Sequence, residues 1–195
     1  MNQKRTEDSL LSERFPRSSA YNPDWVVSNA SGGANALWLT EWLAEGLELR
    51  AGFRILDLGC GCAASSIFLH REFGVQVWAT DLWFSASDNL ERARDAGADG
   101  AVFPIHADAR SLPFAAAFFD AIVSLDAYHY FGTDDLYVGY VSRFLAPGAR
   151  LGIVSPDGKE GMKQHAAEFA ARRIPFVFDP GQGLPLFDGN ELAQM

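Results

Sequence analysis

Three acidic residues and two glycines stand at the spacing of a nucleoside-binding site. The run Ile55-Leu56-Asp57-Leu58-Gly59-Cys60-Gly61 closes an apolar stretch and leads into Ala63-Ala64-Ser65-Ser66-Ile67, the pattern of a strand feeding a helix through a glycine loop. Glycine at 59 and 61 lets the backbone approach a ligand lying across the loop, where any side chain would hold it off. Such a turn also occurs where nothing binds, so the loop alone does not decide. Asp81, in Val77-Trp78-Ala79-Thr80-Asp81-Leu82, ends the next apolar run roughly twenty residues on, where a carboxylate can accept hydrogen bonds from ribose hydroxyls. Asp108, in His106-Ala107-Asp108-Ala109, could accept from an adenine amino group while the Ala109 backbone meets the ring. All three features fall at the carboxyl ends of adjacent strands, where open α/β sheets bind ligands.

The segment Ser124-Leu125-Asp126-Ala127-Tyr128-His129-Tyr130-Phe131 follows a fourth apolar run and carries further candidates for chemistry. His129 has an ordinary pKa suited to general-base work, and Asp126 or the tyrosines could orient an amine or a hydroxyl. His129 reads equally as a hydrogen-bonded loop histidine. Cys60 and Cys62, one residue apart in a turn, cannot form an unstrained disulfide. With His70 as the one further ligand close by, no metal site is expected.

Parallel strands covered by helices must carry these groups. Short, continuous apolar runs at 54–58, 76–79, 102–106, 121–125, 150–154 and 176–178 read as strands buried on both faces. Helical periods at 63–72, 86–96, 133–145 and 159–172 alternate with them. Ahead of the first strand, Asn22-Pro23 opens a short helix, and 33–47 forms a longer one with Leu37, Trp38, Trp42 and Leu43 inward and Glu41, Glu45 and Glu48 outward. Residues 1 to about 20 read as a mobile lead-in. At 195 residues and 48% hydrophobic, the chain suits one domain. Its 25 acidic against 16 basic residues leave a net charge of −9. That surface repels phosphate backbones and anionic bilayers, so neither nucleic acid nor membrane is an expected partner. Without a signal-like or spanning apolar stretch, a cytoplasmic location is expected.

Residues 20 to 150 closely resemble class I S-adenosylmethionine-dependent methyltransferases. The likeness rests on Asp57-Leu58-Gly59-Cys60-Gly61, the acid Asp81, the pair Asp108-Ala109, Leu112-Pro113-Phe114 before Phe118-Phe119-Asp120, and Leu145-Ala146-Pro147-Gly148. It implies a cofactor, S-adenosylmethionine or its product S-adenosylhomocysteine. Gly59 and Gly61 would lie against its methionine part, Asp81 on the ribose and Asp108 on the adenine, with Asp57, Cys60, Leu82, Ala109 and Leu125 completing the site. It also implies a small-molecule methyl acceptor, facing Asp126 and His129. A dinucleotide reading is weaker, because Ala64 occupies the third glycine position of Gly-x-Gly-x-x-Gly.

Residues 151–195 instead resemble a strand-helix-strand piece of a ribokinase-like nucleoside kinase, through Gly152-Ile153-Val154-Ser155-Pro156-Asp157-Gly158 and the run Ile174 to Pro185. That family's phosphoryl-transfer loop has no counterpart here, so kinase activity is not expected. The expectation is one Rossmann-like three-layer α/β/α domain spanning 1–195. A helical cap at 1–50 and a cofactor-binding core at 51–150 would be joined to a tail at 151–195 that completes a six-stranded, mainly parallel sheet of order 3-2-1-4-5-6. Such a join suggests a chimera, with a non-catalytic recombination scaffold as the alternative to an active enzyme. Its sixth strand would leave an edge open to homodimerisation.

Overall fold

The computed structural model describes residues 10–31, 35–132 and 136–154, and the backbone of 176–179. After a single 3-10 turn at Ser18–Ala20 come two α-helices, each opened by asparagine. Asn22 Oδ1 accepts from the Asp24 and Trp25 amides to start α1 (Pro23–Ser28), with proline at the first helical position, where no amide is needed. Asn35 does the same for α2 (Ala36–Leu47), which buries Leu37, Leu43 and Leu47 and ends at Glu48 in the left-handed region, φ 49°.

The alternation of apolar runs and helices then builds the sheet. It consists of β1 (Arg54–Leu58), β2 (Gln76–Asp81), β3 (Val102–His106), β4 (Phe119–Leu125) and β5 (Leu145–Val154), all parallel in the order β3-β2-β1-β4-β5. Helices α3 (Ala64–Phe73), α4 (Ala86–Asp95) and α5 (Tyr137–Ser142) link them. A four-residue backbone segment, β6 (Phe176–Asp179), runs parallel beside β5, Leu151 pairing with Phe176 and Val154 with Asp179. The sixth position of the expected order rests on that segment. The connecting helix expected at 159–172 lies outside the described residues, as does most of the kinase-like stretch.

Side chains alternate across the sheet with the period of two. Ile55 joins Leu43, Leu47, Ile67, Val77 and Val123 on one face. Leu56 and Leu58 join Ile122, Tyr128, Val138, Phe144 and Leu151 on the other. Each such side chain, fully buried, contributes about 1.5–3 kcal/mol. Asp57 takes the α3 side by the same alternation, which determines its chemistry below. Among the described residues, no helix is long and apolar enough to cross a membrane.

Four expectations are corrected. The helix expected over 133–145 is helical only from Tyr137 to Ser142 among the described residues, and β5 starts at Leu145 rather than Arg150. The Phe144 carbonyl accepts from the Phe118 and Phe119 amides at 2.9 Å each, drawing the chain into the sheet before a bulge opposite Phe119–Ala121. Glu41, expected on the wet face, is buried. It accepts from the Arg17 amide (3.1 Å), the Ser18 amide (2.8 Å) and Ser18 Oγ (2.6 Å), satisfying backbone donors that a helical period cannot register. By the same contacts, residues 10–20 are no loose lead-in. Arg14 pairs with Glu45 and Arg17 with Glu72, fastening the segment across α2 and α3.

Candidate functional site

A cavity of about 470 Å³ opens at the carboxyl ends of β1 to β4, within the range of ligand pockets, about 300–1,000 Å³. Gly59 and Gly61 line it beside Asp81–Phe84, Ala107–Arg110 and Leu125–Ala127, while Ala36 and Leu39 of α2 and the rings of Tyr130 and Phe131 close the sides.

The glycine loop is held from three directions. The Gly59 and Cys60 amides both donate to the Thr80 carbonyl, at 2.9 and 3.0 Å. The Gly61 amide donates to Asp81 Oδ2 at 2.8 Å, and the Gly61 carbonyl accepts from Asn89 Nδ2 at 2.8 Å. Both glycines adopt positive φ, +80° at 59 and +54° at 61, where a side chain is strained. Space is also denied them by the protein itself. A Cβ at Gly59 would stand 2.5 Å from Ala127 Cβ, and one at Gly61 would stand 2.7 Å from Ser31 Cβ. The packing of the fold therefore requires glycine at both positions whether or not a ligand lies across the loop.

Asp81 serves two loops at once. Its Oδ2 holds Gly61, and its Oδ1 accepts from the Trp83 and Phe84 amides at 2.7 and 3.0 Å. A carboxylate has about four lone-pair sites, so capacity remains on the cavity side. Asp108 is freer, its Oδ1 accepting from the Arg110 amide at 2.8 Å. Next to it the Ala109 carbonyl accepts from the Tyr137 hydroxyl at 3.1 Å.

Asp57 lies under the loop rather than in the cavity lining. Fully buried, it accepts on Oδ2 from Ser65 Oγ (2.5 Å) and Ser66 Oγ (2.7 Å) at the start of α3. Its Oδ1 has no hydrogen-bond partner among the described residues. Burial pushes the Asp57 carboxyl up to about 6 against the pull of the two serines, and the charge of Asp81 pushes the same way. Cys60 also lies outside the lining, and burial raises its thiol well above the ordinary range. Both cysteines are free and buried.

At the β4 end, Asp126 lines the cavity in a left-handed conformation, φ 52°, its amide donating to the Val154 carbonyl at 2.7 Å. His129 is exposed, outside the lining, its ring 4.1 Å from that of Tyr130. The structure thus brings together Gly59, Gly61, Asp81, Leu82, Asp108, Ala109, Leu125 and Asp126, and sets Asp57, Cys60 and His129 behind or beside them. Sequence reasoning missed Trp83, Arg110, Ser31 and Asn89. Only Asn89 left a signal: a polar residue four positions before Ala93 on the buried side of α4, where the helical period asks for an apolar one.

Comparison with known proteins points the same way as this geometry. Residues 55–149 match the model of a methyltransferase domain. The chain is 33% identical over 140 residues to 27-O-demethylrifamycin SV methyltransferase of Amycolatopsis mediterranei, covering 67% of this chain and 50% of that protein. Among solved structures it resembles SpnF, a 4+2 cyclase (TM-score 0.57, 26% identity, 63% of this chain and 47% of that one). It also resembles geranyl diphosphate C-methyltransferase of Streptomyces coelicolor, solved with S-adenosylhomocysteine (TM-score 0.53, 28% identity, 57% and 42%). The chain spans about half the length of these relatives or less. None of these matches supports the kinase-like or chimeric reading of the tail. The glycine loop, the strand-end acids, the strand order and the domain match together support a class I S-adenosylmethionine-dependent methyltransferase domain over residues 55–149.

Proposed function

We propose that the domain binds S-adenosylmethionine in the cavity at the ends of β1 to β4 and presents its methyl group to a small-molecule acceptor. The observation that carries this reading is the positive-φ loop Gly59–Gly61, locked onto Asp81 in the lining of the cavity. The lining also fits the group by charge. Asp81, Asp108 and Asp126 line the cavity with Arg110 as the one basic residue of the lining among the described residues, an environment that favours a ligand bearing a sulfonium and an ammonium group.

Each residue then has a place in that reading. Gly59 and Gly61 keep the loop low enough to meet the methionine part. Asp81 accepts from the ribose hydroxyls with its remaining capacity, and Asp108 accepts from the adenine amino group beside Ala109. Leu82 and Leu125 supply apolar walls, and Asp57 and Cys60 support the loop from beneath. S-adenosylmethionine, when bound, supplies an activated methyl group whose transfer needs in-line approach of a nucleophile. The protein's task is chiefly to orient the acceptor and exclude water, and Asp126, in the lining, can accept a proton or hydrogen bond from it. His129 would reach an acceptor only from the rim.

Titration calorimetry with S-adenosylhomocysteine tests binding: saturable heat is expected, and its absence on folded protein rejects the proposal. Because one similar structure is named a cyclase, turnover needs its own assay. Methyl transfer to a panel of small hydroxylated acceptors should fall at least about tenfold in Asp126→Asn, and His129→Ala should change it less.

A further inference from the structure

We infer that Asn89 of α4 is a positioning residue for the cofactor, holding the glycine loop in the shape that meets the ligand; the inference rests on the cofactor reading above. Gly61 is the point where the loop turns into the lining. Both of its polar backbone groups are held by side chains from elsewhere in the fold, the amide by Asp81 on β2 and the carbonyl by Asn89 on α4. Asn89 is itself 1% exposed and fixed in turn. Its Oδ1 accepts from Arg92 at 3.1 Å, one turn along α4, and its Nδ2 also lies 3.8 Å from Cys60 Sγ. The amide is thus oriented with its NH₂ toward Gly61, the one arrangement in which both of its ends are satisfied.

The backbone at Gly61 needs this restraint. At φ +54° a glycine has mirror-image conformations of similar energy open to it, and the peptide after it can rotate unless its carbonyl is engaged. Rotation would swing that carbonyl toward the cavity and disturb the amide that meets Asp81. Asn89 faces the protein interior and is absent from the lining, so it acts on the ligand through the loop and not by contact. Asn89 from α4 and Asp81 from β2 thus grip the same glycine, and the second oxygen of Asp81 holds the Trp83 and Phe84 amides.

The test is S-adenosylhomocysteine affinity, measured by calorimetry for wild type, Asn89→Ala and Asn89→Asp between pH 5 and 8. Loss of the buried donor is expected to weaken binding by about tenfold or more in Asn89→Ala. In Asn89→Asp the defect should depend on pH. A carboxylate cannot donate to the Gly61 carbonyl, whereas the protonated acid can, so the ratio of variant to wild-type Kd should shrink as pH falls. A merely structural role would lower Tm in both variants without that pH signature. Should either variant fail to fold, nitrogen-15 NMR of the wild-type protein provides the second reading. The Asn89 side-chain NH₂ should exchange slowly with solvent and shift on titration with S-adenosylhomocysteine. Wild-type binding with unchanged affinity in both variants, or an Asn89 amide that exchanges freely and does not respond to ligand, overturns the inference alone. A wild type that binds nothing overturns the cofactor reading together with it.

Discussion

Gly59 packs directly on Ala127: a Cβ added to the glycine would stand 2.5 Å from the alanine Cβ, far inside van der Waals contact. The first glycine of the loop thus joins β1 to the segment after β4, and its replacement should be felt as stability before it is felt as binding. Gly59→Ala carries a backbone cost at φ +80° and a packing cost, together about 2–4 kcal/mol. In urea unfolding, Ala127→Gly added to Gly59→Ala should recover the packing part and leave the backbone part. Full recovery would assign the whole effect to the contact, and a lone Gly59→Ala with wild-type stability would contradict the geometry.

Asp57 makes the fold sensitive to pH in a direction opposite to that of most paired carboxylates. Its folded pKa, pushed up to about 6, lies above the ordinary carboxylate value of about 3.9. The folded state therefore binds the extra proton, and the stability this group provides is complete below its unfolded pKa. That stability is lost as pH rises through the folded value near 6. The loss is on the order of 2–3 kcal/mol. Asp57→Asn should remove this component. Glu45 and Asp120, each lowered by an arginine partner, act with the opposite sign in both proteins and cancel in the comparison. Unfolding free energies at pH 4 to 8 should therefore fall less with pH in the variant than in wild type, and parallel curves would show that Asp57 is not buried as a reluctant acid.

Asp81 and Asp108 should separate support from recognition. Asp81→Ala removes three backbone hydrogen bonds, and Asp108→Ala removes one. Asp108→Ala should weaken S-adenosylhomocysteine binding by about tenfold with little change in Tm, whereas Asp81→Ala should lower Tm and weaken binding further. Equal melting shifts in the two variants would mean that the hydrogen bonds of Asp81 to Gly61, Trp83 and Phe84 do not support the fold.

How much of this was legible in the sequence follows from what each residue depends on. Gly59, Gly61, Asp81 and Asp108 sit at strand ends, and strands announce themselves by local apolar runs, so their convergence could be read one segment at a time. Asp57 and Cys60 belong to the same motif, but the alternation of side chains across β1 turns Asp57 toward α3. A motif gives spacing and not facing. Glu41 was misplaced because its partners, the Arg17 and Ser18 amides, lie 24 and 23 residues away in a segment without periodicity. Trp83 and Arg110 were missed for the complementary reason: they stand on loops, where no repeat tells which side chain turns toward the cavity.

Trp83 and Tyr130 offer the most direct optical report on the site. Their rings meet edge to face at 5.0 Å, Trp83 from the loop after β2 and Tyr130 from the turn after β4, and both line the cavity. They are also open to water, 70% exposed at Trp83 and 55% at Tyr130. Of the five tryptophans, Trp42 is buried and Trp25, Trp38 and Trp78 are partly so. Collisional quenching by acrylamide in the free protein should therefore act mainly on Trp83. A ligand settling in the cavity against the exposed indole should shield Trp83, so quenching falls as S-adenosylhomocysteine saturates, and Trp83→Phe should abolish that change while leaving binding largely intact. Trp83→Ala removes the ring contact and should weaken affinity by about three- to tenfold, the range expected of one aromatic pair. Shielding that persists undiminished in Trp83→Phe would place the ligand against a different tryptophan and rule out the Trp83–Tyr130 rim as the entrance.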